Sequence, residues 1–180
     1  MEKLIIVYGS SRTEEEKHLR DAEELGRRLA QAGYGVGTGG YTAIMDAASK
    51  GAYQAGGHVI AYPTDEFPDL PPTQWHHEER RTPDLHLRIQ AMLRDGDAFI
   101  AMWGGIGTLA EVAVTWNVAQ FTATMGRPVK PMLLLGAHWK DFVANLSRST
   151  DMSHALLTYP IIVESPAEAI AMLQKEIGNQ

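Results

Sequence analysis

The segment Trp103-Gly104-Gly105-Ile106-Gly107-Thr108-Leu109-Ala110-Glu111 combines the parts of an anion site with a single carboxylate. Glycines let backbone N–H groups approach a ligand with no Cβ in the way. A helix starting near Thr108 would add unpaired N–H groups and the positive end of its dipole. Gly104, Gly105, Ile106, Gly107 and Thr108 are therefore read as a phosphate-binding loop, with the Thr108 hydroxyl as a further donor. A close-packed strand-to-helix turn is the plainer alternative. Three glycines in four residues, followed by a threonine, exceed what such a turn requires. Glu111 reads as an acid in the first turn of the helix, where alone it would only complement the dipole. It gains a chemical role if a cation shares its cleft, and Arg88 is the candidate.

The chain that must position these residues alternates short apolar runs with amphipathic ones, the pattern of βα units around a mainly parallel sheet. "KLIIVYGS", "YGVGT", "HVIAYP", "DAFIAMW", "PMLLLG" and "IIVE" read as strands. Helices are expected after Thr13, through "AIMDAASKGAYQA", "DLHLRIQAMLRDG" and "TLAEVAVTWNVAQF", and behind each of the last two strands. Thr13 and Glu16 have the spacing of a capping box. The stretch from Pro63 to Pro83, with five prolines and the pair His76-His77, reads as a long irregular loop. The expected fold is α/β, a Rossmann-like doubly wound sheet with helices on both faces, forming one domain over residues 1–180. Ligands of such sheets bind where strand order reverses. With the "DAFIAMW" strand beside the first, the loop Gly9-Ser10-Ser11 would meet the glycine loop there, its serines serving as ligand donors.

Composition narrows the function. The 180 residues carry a net charge of −6 with no basic run, which disfavours a general binder of nucleic acid or membrane surfaces. The absence of cysteine excludes disulfides, thiolate catalysis and thiolate metal sites. No apolar run is long enough for a signal peptide or a span, so a soluble, cytoplasmic protein is expected. Gly35, Gly37 and Gly40, and again Gly105, Gly107 and Ala110, spell a dinucleotide fingerprint. The first set lies in the wrong context, and the strand after the second ends without the acid that would hold a ribose of NAD. Adjacent histidines point apart, so His76-His77-Glu78-Glu79 reads as a solvated loop rather than a metal site. Ser10 and Ser11 lack a nucleophile elbow.

"GTGGYTAIMDAASKGAYQAGGHVIAYP", "LHLRIQAM" and "WGGIGTLAEV" follow the order and spacing of the LOG ("Lonely Guy") phosphoribohydrolases, often labelled lysine-decarboxylase-like. The resemblance runs from "VYGSSR" to "RPVKPMLLLG". It implies that Arg88 and Glu111 are the catalytic pair and that the reaction frees adenine, or a modified adenine, from a nucleoside 5′-monophosphate. It implies a nucleotide ligand on Gly9, Ser10, Ser11, Gly39, Gly40 and Met45, a homodimer, and no metal or cofactor. The chain departs from the family pattern at Tyr41, Ala43, Ile89, Trp103 and Ala110. Chemically, a carboxylate beside the sugar would stabilise the positive charge that builds as an N-glycosidic bond breaks, and could deprotonate water. Arg88 would orient it through charge-assisted hydrogen bonds. The rival reading keeps the same cleft without turnover, as a nucleotide- or molybdenum-cofactor-binding carrier or sensor.

Overall fold

A computed structural model describes residues 2–178. Among these, seven strands form one sheet: β1 (Leu4–Tyr8), β2 (Gly35–Thr38), β3 (Val59–Ala61), β4 (Glu78–Glu79), β5 (Ala98–Ala101), β6 (Met132–Leu135) and β7 (Ile161–Val163). Their order is β4-β3-β2-β1-β5-β6-β7, and every pairing is parallel. β1 thus lies between β2 and β5, and the order reverses between them, as the pattern predicts. The helices are α1 (Glu16–Gln31), α2 (Ile44–Gln54), α3 (Leu85–Asp95), α4 (Ile106–Thr124), α5 (His138–Ser149), α6 (His154–Leu157) and α7 (Pro166–Gly178).

Alternation along the strands divides the core in two. Ile5, Val7, Val36, Ile100 and Leu133 pack against Leu25 and Leu29 of α1, Ile44 and Ala48 of α2, and Leu173 of α7. Ile6, Tyr8, Phe99, Ala101 and Leu134 face Ile89 and Met92 of α3, Val112 and Trp116 of α4, and Trp139 of α5. The catalytic candidates therefore sit on helices of the second face.

Two local expectations are corrected. Thr13 does not cap α1, which begins at Glu16 behind Glu15 with no side-chain cap. The Ser10 hydroxyl oxygen instead accepts from the N–H groups of Arg12 and Thr13, folding that stretch back on the β1 loop. Nor is the span from Pro63 to Pro83 wholly irregular. Glu78 and Glu79 extend the sheet as its edge, their charges paired with Arg80 and Arg81, and Thr64 bridges Thr82.

Candidate active site

Two loops at the carboxyl ends of β1 and β5 meet as expected. The Ser10 N–H donates to the Trp103 carbonyl at 2.9 Å, and the Ile44 N–H donates to the Ser10 carbonyl at 3.0 Å. α4 starts earlier than its sequence suggests, at Ile106 with Gly105 as N-cap and no side chain capping it. The Leu109 N–H makes the first bond back into the helix, to Gly105. The N–H groups of Ile106, Gly107 and Thr108 precede it and are the unpaired donors of a helix start.

Side-chain space separates the roles of the three glycines. A Cβ on Gly104 would collide with the Thr108 side chain, so this glycine is required by packing. At Gly105 and Gly107 a Cβ would meet nothing within 4 Å, so the space before them is open. Only Gly104 belongs to a close-packed turn. Thr108 is buried against it, so its side chain packs beneath the loop; Ile106 is exposed and brings its backbone to the opening.

The earlier helix start moves Glu111 to the sixth residue of α4, and no acid occupies the first turn. Glu111 is therefore not a dipole-complementing end residue. It is 5% exposed and faces Arg88, 8% exposed, with Arg88 Nη2 donating to Glu111 Oε1 at 3.1 Å. α3 is set for this by Asp84, whose carboxylate accepts from the Leu87 N–H at the helix start. Burial pushes the Glu111 carboxyl up to about 7, against the opposing pull of the Arg88 charge and hydrogen bond. Arg88 Nε is buried and has no hydrogen-bond partner among the described residues, which leaves a donor beside the pair.

Two residues that sequence reasoning missed stand behind Glu111. The Thr115 hydroxyl donates to the Glu111 carbonyl at 2.7 Å. With that proton committed, the Tyr8 hydroxyl donates to Thr115 Oγ1 at 3.1 Å. Burial raises the Tyr8 pKa, so the phenol stays a donor. The i, i+4 spacing of Glu111 and Thr115 was a usable signal for the first, and the end-of-strand position of Tyr8 for the second.

The remaining candidates divide by role. A Cβ on Gly39 would lie 3.2 Å from Arg88 Nη1 and 2.8 Å from Met45 Sδ, so the absence of a side chain at Gly39 leaves room for both the guanidinium and the thioether. Gly40 has φ +77° and lies over Ala61. Gly9 leaves room for Ile44, Ser10 organises its own loop, and Ser11 is exposed with its carbonyl accepting from the Thr42 hydroxyl. Tyr41 is buried, with its hydroxyl spent on Thr64. Ala43 holds a φ of 55° at the start of α2. Ile89 packs in the core, Ala110 is exposed, and Trp103 is half exposed against His18, the rings stacked at 4.8 Å. His76 and His77 make separate contacts, to the Thr73 carbonyl and the Val59 N–H.

Residues 45–173 match the family model described as possible lysine decarboxylase. The chain belongs to the LOG family. Among its relatives, a probable cytokinin riboside 5′-monophosphate phosphoribohydrolase of rice (Oryza sativa subsp. japonica) is 32% identical over 137 residues, 74% of this chain and 52% of the rice protein. A cytokinin riboside 5′-monophosphate phosphoribohydrolase of Arabidopsis thaliana is 27% identical over 179 residues, covering 96% of this chain and 80% of its own length. This LOG chain thus spans about half the length of the rice protein. Its fold is similar to that of the molybdenum cofactor binding protein of Rippkaea orientalis, with a TM-score of 0.78, 25% identity and 98% of each chain covered. "WGGIGTLAEV" lies inside the matched span, as do Arg88 and Glu111.

Proposed function

We propose that the protein is a nucleoside 5′-monophosphate phosphoribohydrolase that hydrolyses the N-glycosidic bond of a purine nucleotide. One observation carries this reading: a buried Arg88–Glu111 pair lies one helical turn beyond the open glycines of an uncapped helix start. The 5′-phosphate would occupy the N–H groups of Ile106, Gly107 and Thr108, bringing the ribose to Glu111. As the C1′–N9 bond breaks, its electron pair leaves with the base and the sugar becomes positively charged. The ionised Glu111 carboxylate stabilises that charge and takes a proton from water as the water oxygen bonds to C1′. The base takes up one proton from solvent, Glu111 releases the proton it took from water, and the products are free base and ribose 5-phosphate. Arg88 keeps the carboxylate oriented. The scheme uses no metal or cofactor. The names of the rice and Arabidopsis relatives support this class of substrate. Nucleoside monophosphates are intracellular metabolites, so the proposed compartment is the cytoplasm, and the proposed assembly is a homodimer.

The test is incubation with AMP and a panel of other nucleoside monophosphates, following free base and ribose 5-phosphate by chromatography. Base release by the wild type, lost on Glu111→Gln and on Arg88→Ala, is expected. Release that persists in both variants would remove the pair from the chemistry. A second reading, carriage of a nucleotide-like cofactor without turnover, draws support from the likeness to the Rippkaea orientalis protein over nearly its whole length. Binding of AMP with no base released from any nucleotide would favour it.

A further inference from the structure

The segment between Thr64 and Thr73 is tied at both ends to the elements that hold Arg88. At its start, Tyr41 Oη accepts from the Thr64 N–H at 2.8 Å and donates to the Thr64 carbonyl at 3.1 Å. Two residues further on, the Glu66 carboxylate accepts from the Leu85 N–H at 2.8 Å, at the first residue of α3. At its end, the Thr73 N–H donates to the Gly40 carbonyl at 2.7 Å. The Thr73 hydroxyl donates to Asp46 Oδ1 at 2.6 Å, in the first turn of α2. Gly39, beside Gly40, lacks the Cβ that would lie 3.2 Å from Arg88 Nη1, so the guanidinium lies against this turn. The segment therefore passes from the start of α3, one turn before Arg88, to the start of α2.

Between the carboxylates of Asp65, Glu66 and Asp69 the segment presents apolar side chains that would suit the flat face of a base. Phe67 meets the buried Tyr41 ring edge-on at 5.8 Å, yet is itself 40% exposed, and Leu70 is 37% exposed. Pro68, Pro71 and Pro72 fix φ along the same stretch and reduce the freedom that would otherwise be lost on binding. With phosphate at the start of α4 and ribose at Glu111, the base would pass Arg88 toward Gly39 and Gly40, to which the end of this segment is tied.

We propose that residues 65–72 form the wall of the base pocket, with Phe67 contacting the face of a purine and Tyr41 as the residue that positions the wall. This rests on the nucleotide reading and extends it to base recognition. The test is calorimetric titration with AMP and with ribose 5-phosphate, using the full chain carrying Glu111→Gln so that AMP is not consumed. Adding Phe67→Ala is expected to weaken AMP about tenfold, the scale of losing one aromatic stack, and to leave ribose 5-phosphate unchanged. Tyr41→Phe, which keeps the ring but removes both ties to Thr64, is expected to weaken AMP in the same direction and again spare ribose 5-phosphate. Equal AMP affinity with and without Phe67, or equal losses for both ligands, would overturn the proposal. AMP that binds but is not cleaved by the wild type removes the hydrolase and leaves this test standing. Failure of both ligands to bind removes both readings.

Discussion

A carboxyl group enclosed like Glu111 is caught between two effects. Burial disfavours its charge, and the Arg88 guanidinium at 3.1 Å restores part of it. Burial wins, leaving the group poised near neutrality, where a general base works best. The kcat/KM profile is therefore expected to fall below about pH 7; an acid limb near the ordinary carboxylate value would overturn this assignment. Stability carries the same signature. A folded-state pKa raised from 4.5 to about 7 contributes stability that is full at low pH and is lost as pH rises between those values. Glu111→Gln should remove that component, so the difference in Tm between variant and wild type should move in the variant's favour from pH 4.5 to 7. Its base-release rate should drop about 100-fold or more. Ala43 offers a second residue-level test. Its φ of 55° with ψ of −118° is glycine territory, entered here by a residue with a Cβ. Such strain costs about 1–3 kcal/mol. Ala43→Gly should raise stability by about 1 kcal/mol, seen as an increase in Tm of about 2–4 °C.

Among the elements, legibility in the sequence followed how much side-chain pattern each carries. β1, β5 and β6 are buried on both faces and read as unbroken apolar runs. β4 is two glutamates on an exposed edge, held by backbone bonds that no hydrophobic pattern records. α4 starts two residues before Thr108 because the chain turns at Gly105, with no side-chain cap to mark the start in the sequence, and buries Thr108 as packing. That shift converts Glu111 from an end residue to an interior one, so the pairing with Arg88, which depends on how α3 and α4 face each other, could be named from the family resemblance but not from spacing. Tyr41 was legible as a departure, but its partner Thr64 lies 23 residues away through an irregular segment. The glycine loop provides the test at this scale. Gly104→Ala should lower Tm because its Cβ meets Thr108. Gly107→Ala should leave Tm unchanged or raised, since alanine favours helix, and Gly105→Ala should lower it slightly, since alanine is a poorer N-cap than glycine. Both should raise KM for the nucleotide. An unaltered KM in both would mean that no ligand approaches those backbones.

At the scale of the whole molecule, α4 has more apolar surface than one sheet face can cover. Its inner side is spent on Val112, Trp116 and Ala119 in the core. On its outer side Val114, Val118, Phe121 and Met125 are 40%, 44%, 57% and 63% exposed. Their positions advance by four, three and four residues, a single stripe along the helix with the spacing of a helix–helix seam. Isolated exposed apolar residues need no explanation, but a continuous stripe on one element does. The proposed homodimer would place a second copy here, because two-fold symmetry would lay one α4 against another and cover both at once. Sedimentation should then give twice the 19.8 kDa of one chain. Phe121→Lys, which places a charge in the middle of the seam, should shift the protein to the monomer. The residue is exposed in the single chain, so the fold should survive the change, and circular dichroism would check that it does. A wild-type protein that sediments as one chain, or a Phe121→Lys variant that stays dimeric, would leave the stripe without this partner.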